Sequence, residues 1–304
     1  MKVLITGGCG FVGSNLAEEL SREYEVTVLD NLVTGDVSNL EELDLDFVEG
    51  DITDLDLLMD LFEGVDFVLH QAAVVSVPES IKDPVKTDEV NIGGTLNVLL
   101  AARDNGVRKV VNASSCAVYG DTEQLPINEG VMPKPKSPYA VTKLTAEYYC
   151  NVFTELYGLG TASLRYFNVY GPNQDPDSDY AAAIPKFITK VMNGESPIIY
   201  GDGEQTRDFV FVKDVVKANV MAMKSEESGV FNVATGRRVS INELASLIIE
   251  LSGNDLVPEY DEPREGDILH SYGDASRIRE RIGFEASYGV KEGLRETMKY
   301  FAGD

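Results

Sequence analysis

The sequence predicts an α/β fold with a doubly wound parallel sheet and a smaller C-terminal unit, on three observations. Short apolar runs alternate with helix-period segments through the first half, this alternation ends near Arg165, and a turn-rich stretch from Gly171 to Asp177 follows it. Uninterrupted apolar runs separated by helical patterns are what a parallel sheet covered on both faces requires. The elements follow in order. Val3-Leu4-Ile5 is a strand; Val12, Leu16 and Leu20 share one helix face at four-residue spacing; Val26 to Leu29 is the next strand. Phe47-Val48, Phe67 to Leu69, Lys109 to Val111 and Thr161 to Leu164 read as further strands, with helical spacing over 55–62, 91–102 and 139–156 between them. The expected division is 1–165 for the first unit, with return segments within 209–234, and 166–208 plus 235–304 for the second. Phe209 to Val212 and Val230 to Val233 are strand-like runs placed to rejoin the main sheet.

Composition removes several function classes. The chain of 304 residues carries 26 Lys and Arg against 51 Asp and Glu, a net charge of −25. Such a surface repels polyanions, so nucleic acid and anionic membranes are poor partners. Three cysteines without a Cys-x-x-Cys pair, and two histidines far apart at His70 and His270, leave neither a disulfide framework nor a Cys/His metal site. No long apolar run is present, and the expectation is a cytoplasmic protein.

The first chemical signal follows the first strand directly: Thr6-Gly7-Gly8-Cys9-Gly10-Phe11-Val12-Gly13, with a helix opening in the same stretch. Glycines let the backbone turn tightly and admit a pyrophosphate to a helix N-terminus, whose N–H groups hold an anion. Seventeen residues past Gly13 the second strand ends at Asp30, where a carboxylate can accept from an adenosine ribose and would repel a 2′-phosphate. NAD is therefore expected over NADP, with Asp51 and Ile52, after the third strand, near the adenine.

The second signal is Tyr139-Ala140-Val141-Thr142-Lys143, which puts a phenol and an ammonium at i and i+4 on one helix face. Bringing a tyrosine from pKa ~10 to ~7 needs about 4 kcal/mol. One cation at ~4 Å supplies about that much at an effective dielectric of ~20. Lys143 is thus expected to activate Tyr139, and Ser115 to place a hydroxyl between Tyr139 and a substrate alcohol. Cys116, with no nearby histidine in sequence, reads as a small buried residue rather than a nucleophile.

Together these residues resemble the extended short-chain dehydrogenase/reductase superfamily. Gly7, Gly10 and Gly13 match its glycine pattern, Ser115 its Ser/Thr position, and Tyr139 with Lys143 its Tyr-x-x-x-Lys pair. The resemblance continues through Asn91 to Thr95, Leu164 to Asn168, Arg207 to Phe209 and Arg264 to Asp267, and it implies a Rossmann doubly wound sheet with a C-terminal substrate-binding domain. Within the superfamily the sequence is most similar to nucleotide-sugar 4-epimerases acting on UDP-glucose or its N-acetylated relative. The segment Tyr180 to Phe187 is similar to the branch that accepts N-acetylhexosamines.

The resemblance implies further contacts. Around NAD it places Phe11 and Val12, then Asn31, then Gln71, Ala72 and Ala73, and also Asn91 and Tyr166, beside Tyr139 and Lys143. Around the UDP-sugar it places Ser76, Ser115, Asn168, Ala183, Arg207, Arg264 and Ser271. It implies oxidation at sugar C4 by tightly held NAD, with Tyr139 as general base, then return of hydride to the other face of a sugar that has swung over. A homodimer pairing the helices near 88–103 and 138–157 is also implied. Two positions sort the relatives. Where dehydratases and decarboxylases usually carry an acid, two residues before Tyr119-Gly120, this chain has Ala117. Ser271 aligns with a gatekeeper that is bulky in strict UDP-glucose enzymes, so a 2-acetamido group has room. A position that can carry a lysine near the diphosphate is Val75 here, which leaves the neighbouring contact at Ser76 open. The alternatives are a 4,6-dehydratase or other oxidoreductase of the superfamily, and a non-catalytic dinucleotide-binding regulator.

Overall fold

Seven parallel strands set the architecture in the computed structural model, which describes residues 1–176, 183–263 and 269–303. They are β1 (Lys2–Thr6), β2 (Glu25–Asp30), β3 (Asp46–Glu49), β4 (Phe67–His70), β5 (Lys109–Ser115), β6 (Gly160–Tyr166) and β11 (Gly229–Val233), in the order β11-β6-β5-β4-β1-β2-β3. Alternate residues of each strand face opposite layers. Val3, Ile5, Val28 and Leu69 pack on one side with Leu16 and Leu20 of α1 (Phe11–Leu20) and with Val215 and Ala218 of α8 (Val212–Lys224). Leu4, Leu29, Val68 and Val110 pack on the other side with α2 (Leu55–Leu61), α5 (Thr95–Asp104) and α6 (Pro138–Tyr157). The chain runs β1, β2, β3 outward, then returns to place β4 on the opposite flank of β1. That reversal opens a crevice at the strands' C-terminal ends, where α/β sheets bind ligands.

The helix expected over 91–102 is longer and less regular. It begins at α4 (Pro84–Asp88), beyond α3 (Val77–Lys82), widens into a π-helical turn over Glu89–Gly94 and continues as α5. A Cβ on Gly94 would approach the Ile52 side chain to 2.5 Å, so the widened turn packs closely under the β3 loop.

A third apolar cluster holds the second unit, from α7 (Ala183–Met192), α9 (Ile241–Ser252) and α11 (Val290–Ala302), whereas α10 (Ser276–Ile282), which precedes α11, packs through Ile278 on the first core. Its strands are short. β7 (Asn168–Tyr170) pairs with β10 (Phe209–Phe211), β8 (Ile198–Tyr200) with β13 (Glu259–Asp261), and β9 (Thr206–Arg207) lies between β12 (Val239–Ser240) and β14 (His270–Ser271). The run Phe209 to Val212 therefore does not join the main sheet as expected. Val210 faces the main core while Phe209 and Phe211 enter the third cluster, and Val212 opens α8. No helix among the described residues is long and apolar enough to cross a membrane.

Candidate active site

The glycine loop lies at the chain-reversal point. Gly7 has φ +70°, and a Cβ there would stand 2.6 Å from the Ala72 backbone nitrogen; a Cβ on Gly13 would overlap the Gly7 carbonyl oxygen. These two glycines are required by the packing of the loop itself. Gly10 differs: the one heavy atom within 4 Å of its hypothetical Cβ is the Gly7 carbonyl oxygen, at 3.4 Å. A side chain there would instead fill the space over the N-terminus of α1, which has no side-chain cap and no acid in its first turn. The first-turn N–H groups of a helix have no intrahelical acceptor and sit at the positive end of its dipole. Arg22, at the far end of α1, is engaged by Glu18 and Glu19. The cradle therefore suits a pyrophosphate held by backbone.

At the end of β2 the Asp30 carboxylate is fixed by the Cys9 and Leu32 N–H groups, both at 2.9 Å. Asn31 donates to Asp51 at 2.7 Å, and Thr53 donates to Asp51 through its N–H and its hydroxyl. Burial works to raise the Asp51 pKa, but the hydrogen bonds from Thr53 and Asn31 outweigh it and leave the carboxyl below its ordinary value. The expected adenosine-side residues thus form one preorganised acidic rim.

Ser115 ends β5, and Tyr139 and Lys143 lie in the first two turns of α6, whose start is fixed by Ser137 as N-cap and Pro138 in the first turn. The Ser115 hydroxyl lies close enough to the Tyr139 phenol to work towards lowering its pKa. The Lys143 ammonium donates to the Ala113 carbonyl at 2.9 Å and stands 5.9 Å from the centroid of the Tyr139 ring. Electrostatics correct one expectation. Burial pushes the Tyr139 phenol up to about 12, against the Ser115 hydroxyl, and burial pulls Lys143 down to about 8. Burial dominates the phenol, which therefore stays protonated well above neutral pH. A group of pKa about 8 remains ~90% cationic at pH 7, so its charge is available beside the phenol. Nearby, His70 lies between the hydroxyls of Thr6 (2.7 Å) and Thr95 (2.9 Å); burial, with Lys143 beside it, pushes it down to about 3. Burial raises the Cys116 thiol to about 12, which removes it as a nucleophile.

Ser115 pairs in register with Tyr166, and two residues further Asn168 starts β7 and the wall of a cavity of about 480 Å³. Ala183 and Arg207, both expected at the substrate, line it too, and so do Lys186, Lys190, Tyr200 and Gln205. Behind it, the buried Asp208 carboxylate accepts from Thr235 (N–H and hydroxyl), Gly236 and Gly273 at 2.6–3.2 Å, and its carbonyl accepts from the Asn168 backbone and side chain. Asp208 thereby locks its neighbour Arg207 and Asn168 into one wall, and Ser271 is the register partner of Arg207.

The decisive comparison is with the model of the NAD-dependent epimerase/dehydratase family, which matches residues 3–234. The chain belongs to this family. It is 41% identical, over 98% of its length and 97% of the relative's, to a protein of Methanocaldococcus jannaschii described as a putative UDP-glucose 4-epimerase. Among solved structures it is similar to the UDP-N-acetylglucosamine 4-epimerase of Methanobrevibacter ruminantium in complex with UDP-N-acetylmuramic acid, at 42% identity and TM-score 0.96, covering 99% of this chain and 98% of that one. It is likewise similar to the UDP-glucose 4-epimerase of Thermotoga maritima with UDP-glucose, at 39% identity and TM-score 0.95, covering 100% and 99%.

In this NAD-dependent epimerase/dehydratase, several expected contacts have other partners. Both amide protons of Asn91 go to the Val74 carbonyl and the Thr142 hydroxyl, and its oxygen accepts the Val74 N–H at 2.7 Å, so the side chain clamps the segment after β4. The Tyr166 hydroxyl and the Gln71 amide bond to each other and to Asn219 of α8. Ser76 caps α3 by accepting the Glu79 N–H. Arg264 and Tyr180 to Ala182 lie outside the described residues. The sequence reading missed Asn219 and the lysines at 186 and 190. An i, i+4 lysine pair on the strongly amphipathic α7 was the available signal for the latter.

Proposed function

We propose that this protein interconverts the C4 epimers of a UDP-hexose, taking UDP-glucose and UDP-galactose and also their 2-acetamido counterparts. The observation that carries the reading is the hydroxyl pair of Ser115 and Tyr139 over Lys143, set between the backbone anion cradle and a cavity lined by Arg207, Lys186 and Lys190. Bound NAD supplies the reversible hydride acceptance at sugar C4. Tyr139 takes the C4 hydroxyl proton, directly or through Ser115, and returns it when the sugar is reduced from its other face. Lys143 holds positive charge beneath the phenol. Arg207 and the α7 lysines hold the diphosphate, while Asn168 fixes the near end of the same wall. Rotation of the hexose requires that the sugar itself be held more loosely than the diphosphate. Ala117 leaves no carboxylate at the position where elimination of water needs one. Ser271 leaves space beside Arg207 for the acetamido group. Val141, Tyr148, Val152 and Leu156, exposed along one side of α6, support self-association of two copies.

Incubation of the purified protein with UDP-galactose, without added cofactor, is expected to yield UDP-glucose. A stable 4-keto-6-deoxy product overturns the reading in favour of a dehydratase. Tyr139→Phe is expected to lower kcat by about 10²–10⁴. Ser271→Tyr is expected to lower turnover of UDP-N-acetylgalactosamine relative to UDP-galactose by about tenfold or more, and an unchanged ratio removes Ser271 from specificity.

A further inference from the structure

We infer that Glu147, held by Ser114 and Arg165, is a positioning residue for the Tyr139–Ser115 pair and sets the register of the catalytic helix against the sheet; this rests on the epimerase reading above. Tyr139, Lys143 and Glu147 follow at four-residue steps on one face of α6. Three successive residues at the end of β5 meet them one for one. Ala113 accepts from Lys143 at 2.9 Å, Ser114 donates to Glu147 at 2.5 Å, and Ser115 lies beside the Tyr139 phenol and works to lower its pKa. Two of these three ties belong to the reacting groups; the third does not touch them.

That third tie is anchored on its own account. Arg165, the register partner of Ser114 on β6, grips Glu147 with two hydrogen bonds, of 2.8 and 2.6 Å, both side chains being about 95% buried or more. The guanidinium carbon lies 4.6 Å from the centroid of the Tyr119 ring, and the Tyr119 hydroxyl donates at 2.6 Å to Asn232, the register partner of Arg165 on β11. A polar row therefore crosses three strands beneath α6. A buried ion pair is a weak source of stability, since well-packed apolar residues of similar volume often serve as well or better. What a two-point pair supplies is a fixed geometry. One turn of slippage or a small rotation of α6 would break it, and the same movement would part Tyr139 from Ser115.

The test uses the full-length protein with its cofactor bound. The double variant Glu147→Leu/Arg165→Met removes both charges while filling the space. It is expected to keep its Tm and its NAD affinity. Its kcat should fall by about tenfold or more, with KM changed by no more than about twofold. Because the Ser115 contact holds the phenol's pKa down, the limb of the pH–rate profile that reports Tyr139 should move to higher pH. Should the double variant fail to fold, Ser114→Ala, which leaves the ion pair intact, is expected to lower kcat by about threefold or more at unchanged Tm. A folded variant with the parent's kcat and pH profile overturns the inference, and so does one whose loss lies in KM. A parent that does not turn over UDP-galactose overturns the epimerase reading instead.

Discussion

The two places proposed to hold anions are built in opposite ways. At the glycine loop, in a chain of net charge −25, the cradle offers backbone N–H groups and a helix dipole, and the nearest cation of that segment, Arg22, is occupied at the other end of α1. At the cavity of the second unit the lining includes Arg207, Lys186 and Lys190, the last also paired with Glu195 at 3.3 Å. The difference teaches how a strongly acidic protein can bind anionic nucleotides. One site relies on dipoles that the fold fixes permanently, the other on charges concentrated where the overall field opposes them. The first should be rigid and insensitive to salt. The second should be adjustable and salt-dependent.

The rigid side is tested by the broadest effect, one that reaches both stability and NAD binding. Gly13→Ala forces a Cβ onto backbone atoms of Gly7 and Gly8, which cannot move away as a side chain's end could. Overpacking of this kind costs about 1–3 kcal/mol, so thermal unfolding should shift downward and NAD titration should show lost affinity together. Arg207→Met addresses the charged side. Removing a hydrogen bond to a charged group costs about 1.5–3 kcal/mol, roughly 10- to 100-fold in UDP affinity by calorimetry, while NAD affinity stays within about twofold. Equal losses for both ligands would erase the distinction. The smallest effect is in stability against pH. His70 on the cofactor side is pushed down from 6.5 to about 3, mainly by burial, so the unfolded chain binds the extra proton between those values. Its contribution is complete above pH 6.5 and lost as pH falls towards 3. A His70→Asn variant should therefore show a shallower decline of Tm than the parent over that range.

The same contrast governs what could be read in advance. β1, β2, β4 and β5 were legible because strands buried on both faces are uninterrupted apolar runs, and the glycine pattern is imposed by backbone contacts that only one residue type satisfies. The second unit resists such reading. β9, β12 and β14 are two residues long and are held by side chain–backbone ties such as those of Asp208, which leave no periodicity. Phe209 to Phe211 serves two cores at once, and three apolar residues look the same in either sheet. At the site, Tyr139, Lys143 and Ser115 were identified by residue type and spacing. Lys186 and Lys190 were not, since a lysine pair on an amphipathic helix resembles any solvated face. For Asn91, spacing marks a residue as part of a motif without saying where its amide points, here to Val74 and Thr142.

The position of β11 in the sheet bears on how the protein is made. This edge strand is contributed by Gly229–Val233, and the partner it covers, β6, ends at Tyr166. A ribosome that has delivered the whole glycine loop, the catalytic helix and β6 still has more than sixty residues to synthesise before that strand can be paired. Until then the nascent chain presents the seven-residue β6 as an unpaired edge, the kind of surface most prone to join another chain. The segment that builds the wall of the cavity, from Asn168 to Arg207, is translated within that interval. Completion of the sheet and construction of that wall are thus tied in time, and neither unit reaches its final form before the other has begun.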